Sequence, residues 1–164
     1  LILARALLNQ PRIVILDEPT SGFDPQARHL IWQRLRQLKR RGTTLFLTTH
    51  YMEEASQLCD RVAVLDCGKM LAEGKPADLV RELVGEEVVE IRMPGPVPDE
   101  LLDELAQLNL PSERAGDTLY LFTPDGRETV QRLLEGHVER SSLLLRPANV
   151  EDLFLKLTGR GLRT

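Results

Sequence analysis

Apolar residues along this chain follow two rhythms. In Ile13-Val14-Ile15-Leu16 they are contiguous and mostly β-branched, the pattern of a short strand buried on both faces, as in a parallel sheet. That strand stops at Asp17-Glu18-Pro19, where charge and proline exclude further central pairing. Asp24-Pro25 then supplies an N-cap and a proline for the first helical position. Beyond it Ala27, Leu30, Ile31, Leu35 and Leu38 recur at helical spacing. Lys39-Arg40-Arg41 suit the negative end of that helix, and Gly42 closes it. A second apolar run over 43–49 predicts another strand, so strand, helix and strand together predict a right-handed parallel crossover. Upstream, residues 1–9 read as a helix ended by the Asn9-Gln10-Pro11 turn.

The pattern continues with a short helix over 52–58 and two strands, 61–66 and 69–72, around the turn Cys67-Gly68. A helix over 76–84 opens on proline. From Gly85 onward the character changes. Residues 1–84 carry 12 basic and 10 acidic side chains, whereas residues 85–164 carry 9 and 15. The predicted order there is strand 88–93, helix 99–108, strand 112–114, strand 118–123, helix 126–134, strand 142–146 and helix 150–157. The leading βαββαβ order fits a small α+β ferredoxin-like sandwich. The expected division is therefore an α/β part over 1–84 and an accessory domain over 85–164. A unit of that size is small enough to need support from its neighbour.

Composition narrows the function classes. The chain has 164 residues and a net charge of −4, which excludes a generally basic, phosphate-coating nucleic-acid binder. Apolar residues make up 42%, too many for a disordered chain. No apolar run reaches the roughly 20 residues that span a bilayer, and the N-terminal apolar stretch lacks a cleavage site. Cys59 and Cys67 have no partners at metal-ligand spacing and are expected as thiols. The chain opens at Leu1, inside what reads as a buried helix, so a fragment of a longer protein is expected.

Chemistry concentrates at the strand ends. In open α/β sheets ligands bind beyond the carboxyl ends of the strands; Asp17-Glu18 closes the first strand and His50 the second. A carboxylate there is placed to hold Mg²⁺, which takes one or two carboxylates plus phosphates and water. Glu18 could orient or deprotonate an attacking water, and His50 could contact a terminal phosphate. These roles imply nucleoside triphosphate hydrolysis. Each residue taken singly also fits a solvated strand cap or a surface histidine. Glu53 and Glu54 are accounted for by the dipole at a helix start. The six basic residues of the helix from Pro25 to Arg41 are accounted for by a solvated face, and the stripe Leu101, Leu102, Leu105, Leu108 by core packing.

The string Ile13-Val14-Ile15-Leu16-Asp17-Glu18-Pro19-Thr20-Ser21-Gly22-Phe23-Asp24-Pro25, followed by Thr48-Thr49-His50, resembles the second half of an ABC-transporter ATPase cassette, a P-loop NTPase fold. Cys59-Asp60-Arg61-Val62-Ala63-Val64-Leu65 and Gly68-Lys69-Met70-Leu71-Ala72-Glu73-Gly74 resemble its closing hairpin. Thr49-His50-Tyr51-Met52-Glu53-Glu54-Ala55 is similar to the ABC-2 type subfamily, which serves drug, polysaccharide and nodulation-factor exporters. The stretch from Arg146 to Arg160 is similar to the nodulation-factor branch of that subfamily.

The resemblance implies ATP as substrate and Mg²⁺ held at Asp17. It makes Glu18 the general base and His50 the γ-phosphate sensor. Ser21, Gly22 and Asp24 match the D-loop, which meets a partner cassette around the nucleotide; Phe23 stands where the family usually has Leu. It further implies a homodimer of cassettes on an ABC-2 type membrane permease, at the cytoplasmic face of the membrane, with no nucleic acid as partner. The glycine-rich phosphate loop, G-x-x-x-x-G-K-[ST], is absent from these 164 residues, so the chain alone is expected to be inactive. The competing readings are a ribosome- or DNA-associated ATPase of the same family and a non-catalytic interaction module.

Overall fold

The computed structural model describes residues 5, 7–135, 138–139 and 142–159. The helix expected over 1–9 lies largely outside the described residues. The chain divides into two compact units, Leu1–Asp60 and Arg61–Thr164. The first is α/β around a parallel strand pair and the second α+β with antiparallel strands, as the hydrophobic pattern predicts.

In the first unit, β1 (Ile13–Asp17) pairs in parallel with β2 (Thr44–Thr48), Ile13 opposite Thr44 and Asp17 opposite Thr48. Between them runs α1 (Pro25–Arg40), whose N-cap Asp24 accepts hydrogen bonds from the backbone N–H groups of Gln26 and Ala27. That capping fixes where the chain turns back along the sheet. Trp32 and Leu35 of α1 bury against Leu16, Leu45 and Leu47, and Leu58 of α2 (Met52–Leu58) completes the cluster. Lys39 secures the far end, its Nζ 2.5 Å from the Leu58 carbonyl oxygen and 2.9 Å from Asp60 Oδ2.

One expectation about β1 is corrected. Its apolar run predicts burial on both faces, but only Val14 is buried, while Ile13 and Ile15 are exposed, as is Phe46, which lies opposite Ile15. Successive side chains of a strand point to opposite faces. Leu16, Leu45 and Leu47 face α1, and among the described residues nothing covers the other side.

In the second unit, β3 (Val62–Asp66) and β4 (Lys69–Gly74) form an antiparallel hairpin. Cys67 and Gly68 at its turn have φ of 48° and 74°, the left-handed pair that two-residue hairpin turns require. After α3 (Pro76–Leu83) come β5 (Glu87–Arg92), α4 (Asp99–Leu108), β6 (Ser112–Ala115), β7 (Thr118–Thr123), α5 (Gly126–Glu135), β8 (Leu143–Pro147) and α6 (Val150–Thr158). The four strands from β5 to β8 make one antiparallel sheet in the order β6-β7-β5-β8. This is the split βαβ arrangement predicted from the element order.

Alternation along these strands builds two cores. Val89, Ile91, Leu119 and Leu121 meet Leu101 of α4 and Leu133 of α5. Residues of opposite parity, Val88 and Phe122, are buried too, as are Leu79 and Val80 of α3 and Leu153 of α6; α3 packs against α6. The hairpin and α3 thus belong to the same compact unit as the C-terminal sheet. At the start of α5 a Cβ on Gly126 would lie 2.2 Å from Leu145 Cδ1 and 2.8 Å from Glu87 Oε2, so a larger residue there would require those side chains to move.

Arg146 closes the sheet onto α6. Its guanidinium forks onto both oxygens of Asp152 at 2.6 and 2.7 Å, and its Nε lies 2.5 Å from Glu90 Oε1. Asp152 is 1% exposed and also accepts from the Asn149 backbone N–H in a capping box. The Asp152 hydrogen bonds, more than those of Glu90, hold the guanidinium above its ordinary pKa against the opposing effect of burial.

Candidate active site

Parallel pairing brings the carboxyl ends of β1 and β2 to one rim. There the Thr48 hydroxyl donates to Asp17 Oδ1 in a close contact; the other Asp17 oxygen has no protein donor among the described residues. The Glu18 backbone N–H still bonds the Thr48 carbonyl at 3.0 Å, extending the ladder one step. Glu18 itself has φ of 44°, a left-handed conformation that costs an L-residue about 1–2 kcal/mol. Strain of this kind at a strand end is characteristic of functional turns. Glu18 Oε1 lies 3.2 Å from His50 Nδ1, and both side chains are about half exposed, so the pair is open to solvent and to a substrate.

Tyr51 packs against His50. The two rings lie 4.2 Å apart, tilted by 37°. The second partner of the Tyr51 ring is the Arg28 guanidinium of α1, 4.1 Å from its centroid, a cation–π contact. Arg28 was not singled out by the sequence; its buried Nε has no hydrogen-bond partner among the described residues.

After Glu18 the chain makes a compact turn, with the Ser21 N–H on the Glu18 carbonyl at 3.1 Å and the Phe23 N–H on that of Thr20 at 3.2 Å. Gly22 takes φ of 76° within it. Ser21, Gly22 and Asp24 therefore share one exposed loop between β1 and α1, and Asp24 Oδ1 is engaged as the helix cap. Phe23 is exposed rather than anchored in a core.

The structure corrects the expectation for Glu54. Its position in the first turn of α2 suits the helix dipole, yet the side chain is wholly buried, not solvated. Its Oε1 accepts from Thr20 Oγ1 at 2.8 Å and from Trp32 Nε1 at 2.9 Å. The sequence signal was available: Glu54, Ala55 and Leu58 fall on one helical face, and a buried Trp needs an acceptor.

Among the described residues no cluster of three or more His, Cys, Asp or Glu could cage a metal. One carboxylate with a spare oxygen suits a hard cation that completes its shell with phosphate oxygens and water, as Mg²⁺ does. Asp17 has that character. The rim thus offers a metal-type carboxylate, an adjacent carboxylate able to accept a proton, and an imidazole beside it.

A family model described as the C-terminal domain of the nodulation factor export protein NodI matches residues 99–159. A second, described as an AAA domain, putative AbiEii toxin of a type IV toxin–antitoxin system, matches residues 1–55. The Nod factor export ATP-binding protein I of Mesorhizobium japonicum is 51% identical over 160 residues, covering 98% of this chain and 46% of the relative. The protein of the same name from Paraburkholderia xenovorans is 51% identical over 162 residues, covering 98% and 51%. The chain therefore spans about half the length of the curated relatives it matches. The solved structure of cbiO1 from Clostridium perfringens, part of the ABC transporter complex cbiONQ, is 33% identical, with a TM-score of 0.44 over 49% of this chain and 32% of that one. No helix among the described residues is long and apolar enough to cross a membrane.

Proposed function

We propose that this chain, a homologue of the Nod factor export ATP-binding proteins over nearly its whole length, is part of the ATPase subunit of an ABC-2 type exporter, coupling ATP hydrolysis to export through a partner permease. The observation that carries the reading is the meeting of Asp17, Glu18 and His50 on one rim, with Glu18 and His50 3.2 Å apart.

In this reading Glu18 takes the proton from the water that attacks the γ-phosphate, leaving ADP and inorganic phosphate. His50 holds the Glu18 carboxylate in place and offers its ring to the terminal phosphate. Asp17, steadied by Thr48, would hold Mg²⁺, which when bound offsets the charge developing on the phosphates. Ser21, Gly22 and Asp24 lie on the loop that faces a second cassette in a homodimer. The subunit works at the cytoplasmic face of the membrane. By sequence pattern residues 1–84 correspond to the end of the cassette and 85–164 to its accessory domain, although residues 61–84 fold in one compact unit with the latter. The glycine-rich phosphate loop is absent from these 164 residues, and the chain covers about half the length of the relatives.

The test is Glu18→Gln in the full-length gene product. Turnover is expected to fall roughly 10²–10⁴-fold, the range for a lost general base, with ATP still bound. Hydrolysis near the wild-type rate overturns the assignment.

A further inference from the structure

We propose that Glu54 is a positioning residue for the Glu18–His50 pair, acting from beneath the site rather than on the substrate; the inference rests on the ATPase reading. Three observations converge. Glu54 is 0% exposed, and its Oε1 joins three segments by accepting from Thr20 Oγ1 and Trp32 Nε1 while belonging to α2. Thr20, itself 0% exposed, begins the turn that leaves Glu18, and its carbonyl accepts the Phe23 N–H. Finally, α2 starts two residues beyond His50. A single carboxylate oxygen therefore ties the segment leaving Glu18 to the helix just after His50, with Trp32 of α1 as the fixed post between them.

Stability alone does not account for a carboxylate here. Its second oxygen, Oε2, is buried without a hydrogen-bond partner among the described residues. Burying an incompletely satisfied carboxylate is costly, and apolar residues of similar volume often serve stability as well or better. What an apolar side chain cannot do is accept from a hydroxyl and an indole at once, and so fix two segments relative to each other. Glu18 and His50 are both about half exposed, so packing around their own side chains does not lock their separation. The lock is Glu54.

The experiment compares Glu54→Gln, Glu54→Leu and Thr20→Val in the full-length protein, measuring thermal unfolding, kcat and KM for ATP. Gln keeps one acceptor oxygen, so Glu54→Gln is expected to retain kcat within about 3-fold. Glu54→Leu is expected to fold and bind ATP with little change in KM, yet lose at least about 10-fold in kcat, as misplacement of reacting groups does. Thr20→Val removes only one hydroxyl and is expected to lower kcat in the same direction. In the double variant the two losses should not multiply, because both break one link.

If Glu54→Leu folds and keeps wild-type kcat, the proposal is overturned. It is also overturned if the losses multiply. Should Glu54→Leu fail to fold, unchanged kcat in Thr20→Val overturns it equally. Failure of the ATPase reading is separate: in that case Glu18→Gln itself leaves turnover intact.

Discussion

Glu18 Oε1 lies 3.2 Å from His50 Nδ1, although 32 positions separate the two residues in sequence. The parallel register of β1 and β2 makes this possible. With Asp17 opposite Thr48, the next residues of both strands leave the sheet on the same rim. Left-handed Glu18 turns out of the ladder while keeping its N–H on Thr48. Backbone geometry therefore brings both residues to one rim, and each side chain can be removed without unmaking the sheet.

That separation makes His50→Ala informative. The fold should survive, since His50 is half exposed and outside both strands. Steady-state ATP hydrolysis by the full-length protein is expected to fall on the order of 10²-fold, as when one preorganised polar group is taken from a transition state. A loss of only two- or three-fold would remove His50 from the mechanism.

Thr48→Val deletes the hydroxyl that donates to Asp17 Oδ1 while keeping the shape of the strand residue. Groups that orient a metal-binding carboxylate are worth roughly 10–100-fold in metal affinity. The Mg²⁺ concentration for half-maximal hydrolysis should rise by about 10-fold, with little change in thermal stability. An unchanged Mg²⁺ dependence would mean that Asp17 needs no help from Thr48.

In the second unit, Arg146→Met should destabilise without touching the site. It leaves Asp152, 1% exposed, without the fork that satisfies both its oxygens, although the Asn149 N–H remains. Breaking a buried pair from one side costs about 3–5 kcal/mol. Because the Arg146 side chain is 23% exposed, water recovers some of that, and a loss of about 2–3 kcal/mol in urea unfolding is expected. A loss below about 0.5 kcal/mol would mean that solvent already screens the pair.

The two thiols should differ in reactivity. Cys59 is half-buried and Cys67 exposed, and neither forms a disulfide. Burial raises the Cys59 pKa; Lys39 opposes the rise, and Glu54 and Asp60 add to it. Its thiolate therefore forms at higher pH in the folded chain than in the unfolded one. Maleimide labelling of Cys59 is expected to climb at higher pH than it does in urea, and to trail Cys67 by at least about 10-fold near neutrality. Equal rates in the folded protein would show that the end of α2 opens readily.

Much of the architecture is legible in the sequence, for local reasons. Asp24-Pro25 announces α1 because a side-chain cap and a fixed proline φ act within four residues. The turn at Cys67-Gly68 and the βαββαβ order come from alternation and turn residues. Asp17, Glu18 and His50 are visible because strand ends in parallel sheets converge. Glu54 and Arg28 do not stand out, since an acid in a first helical turn and an arginine on a basic helix both have ordinary solvated explanations. The exposure of Ile15 and Phe46 is not legible either, because an apolar strand does not say whether both its faces are covered.

The sequence by itself determined the elements, their order and the identity of the rim residues, because periodicity, capping and turn chemistry act over a few residues. Only the tertiary structure decided which polar groups lie under that rim. Whether Glu54 meets water or meets Thr20 and Trp32 depends on three segments, 34 positions apart at the widest, packing together, and no local pattern encodes that distance.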